Sequence, residues 1–424
     1  MSDNTSFLLA NAKYLGDFTD ILVEEGRIKA VGKAGSLAAP AGTRSIDAGG
    51  NILLPGFIDA HTHMREPGFE WKEDIASGLA AAANGGFSAV MCMANTRPVN
   101  DTASTTRLML EKARMACPHG PRLYPVGALT VGLEGNELAP MAELAAAGCV
   151  AFSNDGKPVA NTEIFRRAVE YASMWGKVVI DHCEDPFMAK GSHMNEGVVS
   201  GLIGVKGQPA IAESLHVARD ILLSEYLDLP IHLAHISCRQ SVELIVWAKN
   251  KGLKITAETC PHYLHFTEEL LSGYDTAAKV NPPLRTRDDV DYLRKALADG
   301  VFDMLVTDHA PHAPHEKEEP LDEAPQGIMG LETALPLTYA LVRDNVISEK
   351  QLVSLWSAGP AKVFNLPTNT MKAGDAADFA LFDSEAEWIV DETTVRTKGR
   401  NTPLWGGTVR GRVTANWVGG VKVV

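Results

Sequence analysis

The stretch "DAHTHMREPG", Asp59 to Gly68, follows the apolar run "NILLPGFI" of residues 51–58 and sets two histidines one residue apart where a buried strand ends. Side chains at i and i+2 of a strand point to the same side, so His61 and His63 converge on one point. Two imidazoles facing one point suggest a metal ion. Taken alone, an H-x-H reads more readily as one hydrogen-bonded core histidine beside one surface histidine, so further ligands have to come from elsewhere in the chain.

Outward from this stretch, short apolar runs alternate with Ala- and Leu-rich segments. The runs end at "FIDAHTH", "FSAVMCMANT", "RLYPVGALT", "CVAFSND", "VVIDHCED", "IHLAHIS", "LKITAETC" and "FDMLVTDHAPH", which makes eight candidate strands. Segments such as "NTEIFRRAVEYASMWG" and "RDDVDYLRKALADG" between them carry apolar residues at helical spacing. Repeated βα units of this kind predict an α/β fold, an eight-stranded (β/α)8 barrel. Both chain ends read instead as short strands joined by turns, which predicts a small β-sandwich domain built from 1–54 plus 368–424 around a barrel at 55–367.

A chain of 424 residues exceeds the usual limit of one hydrophobic core, in keeping with a large and a small unit. Lys+Arg 39 against Asp+Glu 53 gives a net charge of −14, which argues against a nucleic-acid or anionic-membrane binder but leaves room for a local basic pocket. No apolar stretch is long enough to span a bilayer, and the N-terminus lacks a basic region followed by an apolar signal, so a cytoplasmic protein is expected. The six cysteines lack C-x-x-C spacing and read as reduced, mostly buried thiols.

Catalytic groups of such a barrel lie at the C-terminal ends of its strands. His61 and His63 end the first candidate strand, Asn95 the second, Asp155 the fourth, His182 the fifth, His235 the sixth and Asp308 the eighth. Singly, Asp155 could be a turn residue, His182 a core histidine and Asp308 a helix cap. Four histidines and two aspartates at one rim point instead to metal. Imidazole and carboxylate suit Zn²⁺, with iron, manganese or cobalt as substitutes. Six ligands exceed the need of one tetrahedral ion and imply two ions sharing an anionic bridge, which would acidify a water molecule.

These residues, in this order, resemble the amidohydrolase superfamily, and "DAHTHMREPG" with "TDHAPH" is similar to dihydroorotases of the long-chain bacterial type. "ANTRPVND", "HCED", "MNEG", "HLAHIS", "NPPLR" and "GLETALPL" agree, so the likeness runs over most of the chain. The resemblance implies two Zn²⁺ ions per chain, bridged by hydroxide and Asp155: His61, His63 and Asp308 hold one, His182 and His235 the other. Many relatives bridge through a carboxylated lysine. Here "AFSNDGKPV" offers an acid, with Lys157 two residues along as a second candidate.

The resemblance further implies reversible cyclisation of N-carbamoyl-L-aspartate to dihydroorotate in pyrimidine biosynthesis, with Asp308 passing the proton to the leaving nitrogen. The substrate is anionic, and Arg65 could grip its carboxylate with a two-pronged bond. By the same likeness Arg65, Asn95 and His312 surround that carboxylate, while Asn281 and the backbone at Gln326 and Gly327 touch the ring, with His63 also facing substrate. His262, His265, His309 and His315 are expected to be structural, and Glu258 to orient a neighbour. The charged, Pro-rich segment at 313–327 reads as a cover over the site or as a solvated loop.

Two alternatives stand beside this reading. A dihydropyrimidinase or allantoinase would act on rings that lack or displace the carboxylate that Arg65 would bind, and the strand-4 acid and Arg65 speak against it. A non-catalytic partner of aspartate transcarbamoylase should have lost ligands, and none is missing. The resemblance leaves a homodimer or a complex with that transcarbamoylase open.

Overall fold

The computed structural model describes residues 5–424. Five strands open the chain: β1 (Phe7–Tyr14), β2 (Asp17–Glu24), β3 (Arg27–Lys33), β4 (Arg44–Asp47) and β5 (Ile52–Pro55). Ten follow in the middle: β6 (Phe57–Thr62), β7 (Phe87–Cys92), β8 (Arg122–Gly127), β9 (Ala151–Ser153), β10 (Val178–Asp181), β11 (Met194–Asn195), β12 (Gly207–Gln208), β13 (Ile231–Leu233), β14 (Ile255–Thr259) and β15 (Met304–Leu305). The last three are β16 (Phe379–Ile389), β17 (Thr408–Val418) and β18 (Val421–Lys422).

Eight strands, in the order β15-β14-β13-β10-β9-β8-β7-β6, form a parallel sheet. A parallel bridge between Thr62 and His309 brings the first and last strands together, supported by the His63 N–H donating to the His309 carbonyl at 2.8 Å. The expected barrel is therefore present. Every residue of β6 and of β7 is buried, which explains why these strands read as continuous apolar runs instead of alternating ones. The helices between strands cover them by one face. In Thr162–Ser173, Phe165, Ala168, Val169 and Ala172 are buried, and the Asn161 side chain caps the helix by accepting from the Glu163 and Ile164 N–H groups. The short β11/β12 ribbon lies outside the barrel order.

The chain ends build a second sheet, ordered β18-β17-β16-β5-β1-β2-β3, with β4 beside β1. The sandwich expected from sequence takes the form of one continuous ladder. Phe7 on β1 and Trp417 on β17 stack with ring centroids 5.8 Å apart although two strands lie between theirs. A flat sheet at about 4.8 Å per strand would separate them by roughly 14 Å, so the ladder curls around its own core. Alternation on its central strands joins the two units: Leu53, Phe379 and Leu381 face that small core, while Ile52, Leu54, Ala380 and Phe382 pack into the barrel's. From this arrangement we propose the division into 1–54 plus 368–424 and 55–367. No helix among the described residues is long and apolar enough to cross a membrane.

Trp356 fills the barrel end opposite the histidines, its ring 6.2 Å from Phe57 and 5.3 Å from Phe87, the first residues of β6 and β7. Its Nε1–H donates to Thr338 Oγ1 at 3.2 Å. Trp356→Ala should cost about 3–5 kcal/mol, read as a lower denaturation midpoint with the metal content of the folded protein unchanged.

Candidate metal centre and active site

The polar side chains sit where the strands end and the extended backbone breaks. His235, Asp308 and Arg65 hold positive φ of 33°, 47° and 59°, conformations that cost non-glycine residues about 1–3 kcal/mol and concentrate at functional sites. They lie beyond β13, β15 and β6 respectively.

The six residues expected to hold metal come together, all buried. His61, His63 and Asp155 form one compact group and Asp155, His182 and His235 another, so Asp155 is common to both. Asp155 Oδ1 is 3.3 Å from His61 Nε2, 3.3 Å from His182 Nδ1 and 3.2 Å from His235 Nε2, and its Oδ2 is 3.4 Å from His63 Nε2. Asp308 Oδ1 is 3.1 Å from His63 Nε2 and 3.7 Å from His61 Nε2.

The remote ring nitrogens fix which atoms face inward. His61 Nδ1 lies 2.8 Å from Glu258 Oε1, and His63 Nδ1 lies 2.8 Å from Asn95 Oδ1. Each Nδ1–H donates outward, which leaves the Nε2 lone pair aimed at the carboxylates. His61 Nε2 is accordingly a buried atom without a hydrogen-bond partner. Lone pairs opposed to carboxylate oxygens at these distances call for a proton or a cation between them.

No lysine or arginine supplies it within ion-pair distance of Asp155 or Asp308 among the described residues. The other buried acidic group, Asp181, Cys183 and Asp220, has Arg219 at 2.8 Å from both carboxylates. Electrostatics agree. Burial alone would raise Asp155, yet His61, His182 and His235 hold it well below the usual carboxylate range. Burial alone would lower His182, yet Asp155 and Glu184 carry it up to about 10. The donor set of nitrogen and oxygen fits a divalent metal centre.

Beside the cluster is a cavity of about 120 Å³, lined among others by Arg65, Asn95, Asn281, Asp308, Gln326 and Gly327. Arg65 Nε donates to the Pro311 carbonyl at 3.1 Å, and no carboxylate lies within ion-pair distance of it among the described residues. His312 Nε2 lies 2.9 Å from the Gln326 carbonyl and must donate to it, while Nδ1 accepts from Lys72 Nζ at 3.3 Å. Burial, with the cations Arg65 and Lys72 nearby, lowers His312 to about 3, so its ring is neutral. Asn281 Nδ2 donates to Glu184 Oε2 at 2.9 Å, which leaves its Oδ1 buried and unpartnered.

The remaining expectations sort by contact. Glu258 bridges His61 and His232, its Oε2 being 2.9 Å from His232 Nε2. His309 lies 3.4 Å from Glu73, His265 donates to the Leu337 carbonyl at 2.9 Å, His262 is buried and pushed down to about 4 by burial, and His315 is exposed. Lys157 is exposed, unlike buried Asp155, and its N–H closes a turn onto the Asn154 carbonyl at 2.8 Å. The 313–327 segment is pinned: Lys317 Nζ donates to the Thr276 and Pro325 carbonyls at 2.9 and 2.7 Å, and Lys279 Nζ to the Leu321 and Ala324 carbonyls at 2.5 and 2.6 Å. Sequence reasoning missed Glu184, which its i+2 position after His182 could have shown. It also missed Gln208, whose Nε2 donates to Glu184 at 3.0 Å and which no pattern marks.

A family model described as "Dihydro-orotase-like" matches residues 50–241. A dihydroorotase of Geobacter metallireducens is 46% identical over 410 residues, 97% of this chain and 96% of that protein, and one of Syntrophus aciditrophicus is 45% identical over 410 residues, 96% and 95% of the two chains. The chain belongs to the dihydroorotase family. The dihydroorotase relatives thus cover 96–97% of its length, in keeping with the amidohydrolase resemblance read from the histidine and aspartate motifs. Solved structures give the same barrel. An L-hydantoinase (dihydropyrimidinase) from Arthrobacter aurescens superposes with a TM-score of 0.86 at 24% identity, covering 98% of this chain and 95% of its own. A dihydropyrimidinase from Brevibacillus agri gives 0.85 at 24% identity, covering 99% and 95%.

Proposed function

We propose that this chain catalyses the dihydroorotase reaction, the reversible cyclisation of N-carbamoyl-L-aspartate to dihydroorotate in pyrimidine biosynthesis, in the cytoplasm. The full-length identity with named dihydroorotases supports it. The observation that carries the substrate assignment is Arg65: a guanidinium without a carboxylate partner, facing a cavity beside the acid and imidazole cluster. Such a group calls for an anionic ligand.

In this reading His61, His63 and Asp308 would hold one Zn²⁺ and His182 and His235 the other, with Asp155 as a ligand common to both sets. Bound there, the ions would supply Lewis acidity and lower the pKa of water toward neutrality. In hydrolysis, water adds to the ring amide carbonyl carbon, the C–N bond breaks, and the nitrogen leaves with a proton. Asp308 takes the proton from the attacking water and delivers it to that nitrogen; ring closure reverses both transfers. Arg65, with Asn95 and neutral His312 beside it, grips the substrate carboxylate. Asn281, its Nδ2 committed to Glu184, offers Oδ1 as acceptor to a ring N–H, and the backbone at Gln326 and Gly327 bounds the ring.

Purified protein should turn over dihydroorotate, followed by ultraviolet absorbance, and carry about two divalent ions per chain. Turnover of hydantoin or dihydrouracil with none of dihydroorotate would overturn the assignment. Arg65→Met should raise KM for dihydroorotate by about 10–100-fold, the scale of a lost charge-assisted bond, with a smaller change in kcat. An unchanged kcat/KM would remove Arg65 from the site.

A further inference from the structure

Asn401 lies in the connection between β16 and β17, contributed by the chain-end sheet, and is 2% exposed. Its Nδ2 donates to the Ala310 and Gly327 carbonyls, both at 2.9 Å, and its Oδ1 accepts from the His312 N–H at 3.0 Å. Its own carbonyl accepts from the Met329 N–H at 3.0 Å. Two carbonyls on one side and an N–H on the other fix the amide's orientation. Ala310 and Gly327 line the cavity and His312 touches Arg65, whereas Asn401 itself is not in the cavity wall.

The two backbone segments joined by this side chain are already in close approach. A Cβ on Gly327, where φ is 145°, would meet the Ala310 carbonyl oxygen at 2.6 Å and His312 Cδ2 at 3.0 Å. A Cβ on Gly399 would press on Asn401 Oδ1 and Pro311 Cβ, each at 2.8 Å. The segments also bond directly on either side of Gly327, the Ala310 N–H to the Ile328 carbonyl at 2.8 Å and His312 Nε2 to the Gln326 carbonyl at 2.9 Å, and the Asn401 amide braces that junction from outside the cavity by bonding to Ala310, His312 and Gly327 at once.

We propose that Asn401 is a positioning residue for substrate binding: an amide from the chain-end sheet that sets the spacing of the Ala310–His312 and Gly327 backbone around the substrate. This rests on the dihydroorotase reading above. Removing it leaves the metal ligands intact and lets the substrate-facing backbone spread, so the loss falls on KM.

The test measures kcat and KM for dihydroorotate, metal content and thermal midpoint in the full chain and in Asn401→Ala, Gly399→Ala and Asn416→Ala. Asn416 is the control: buried equally, its Nδ2 donates to the Ala83 and Phe87 carbonyls at 3.0 Å, away from the cavity. Asn401→Ala should raise KM at least tenfold with kcat within threefold and metal content unchanged. Gly399→Ala should raise KM in the same direction, and Asn416→Ala should lower the thermal midpoint with KM unmoved. A folded Asn401→Ala with parental KM would overturn the proposal, as would an equal KM rise in Asn416→Ala. If Asn401→Ala does not fold, Gly399→Ala decides by the same criterion, and failure of both to fold would make the connection a folding element only. A parent enzyme inactive on dihydroorotate would instead sink the reading of function.

Discussion

Asp308→Ala is expected to lower kcat for dihydroorotate by about 10³-fold or more while much of the bound metal stays. Positioned general acid–base groups contribute typically 10²–10⁴-fold. Asp308 lines the cavity, as Asp155 does, and approaches the histidines at 3.1 Å from His63 Nε2, whereas both Asp155 oxygens are engaged by four imidazoles. It stands outside the two compact groups built on Asp155, so on the proposed two-ion reading its removal would take one donor from one ion and leave the other ion's donors whole. Burial would raise its carboxyl, but contact with His63 and the nearby His61 lowers it, which keeps it ionised and able to receive a proton. Asp308→Asn preserves shape and removes that capacity, so it should lose turnover to a similar degree. Assays of metal by atomic emission beside steady-state kinetics check both variants, and a variant retaining a tenth of parental kcat would exclude Asp308 as the proton carrier.

The barrel and the histidine–aspartate set were legible because both follow from short-range rules. Strand runs such as "FSAVMC" are apolar throughout, since they are buried on both faces. His61 and His63 share a side by strand alternation, and the other four residues are placed by the ends of their strands. What was not legible depends on contacts distant in the chain. Asn401 reaches Ala310 and Gly327 from a connection without periodicity. The curl of the chain-end ladder is set by Phe7 meeting Trp417 across more than 400 residues, and the pinning of residues 313–327 by lysine–carbonyl bonds that charge patterning reads as a solvated loop. The sequence does not separate Lys157 from Asp155, because a turn decides which of them faces the histidines, and the Lys157 N–H bond to the Asn154 carbonyl closes that turn.

That turn gives the second large effect. Asp155→Ala should abolish detectable turnover and strip the protein of most of its metal, whereas Lys157→Ala should alter neither. Asp155 is the member common to both groups, its two oxygens between 3.2 and 3.4 Å from all four imidazoles. On the proposed two-ion reading each ion would lose a ligand, and the inward nitrogens of four buried rings would face one another with Asp308 as the remaining carboxylate among them, Glu258 and Glu184 lying on the outer sides of His61 and His182. Removing one partner of a buried charged group leaves the rest uncompensated, at a cost of about 3–5 kcal/mol, so the variant should also melt at a lower temperature. Metal analysis after dialysis, with kinetics and a melting curve, separates the outcomes. Full metal in Asp155→Ala with loss of metal in Lys157→Ala would transfer the bridge to a lysine, against its exposed position. Metal lost in Asp155→Ala but kept in Asp308→Ala, with both variants inactive, would divide the labour of the two carboxylates: one holds the charge at the centre, the other moves the proton.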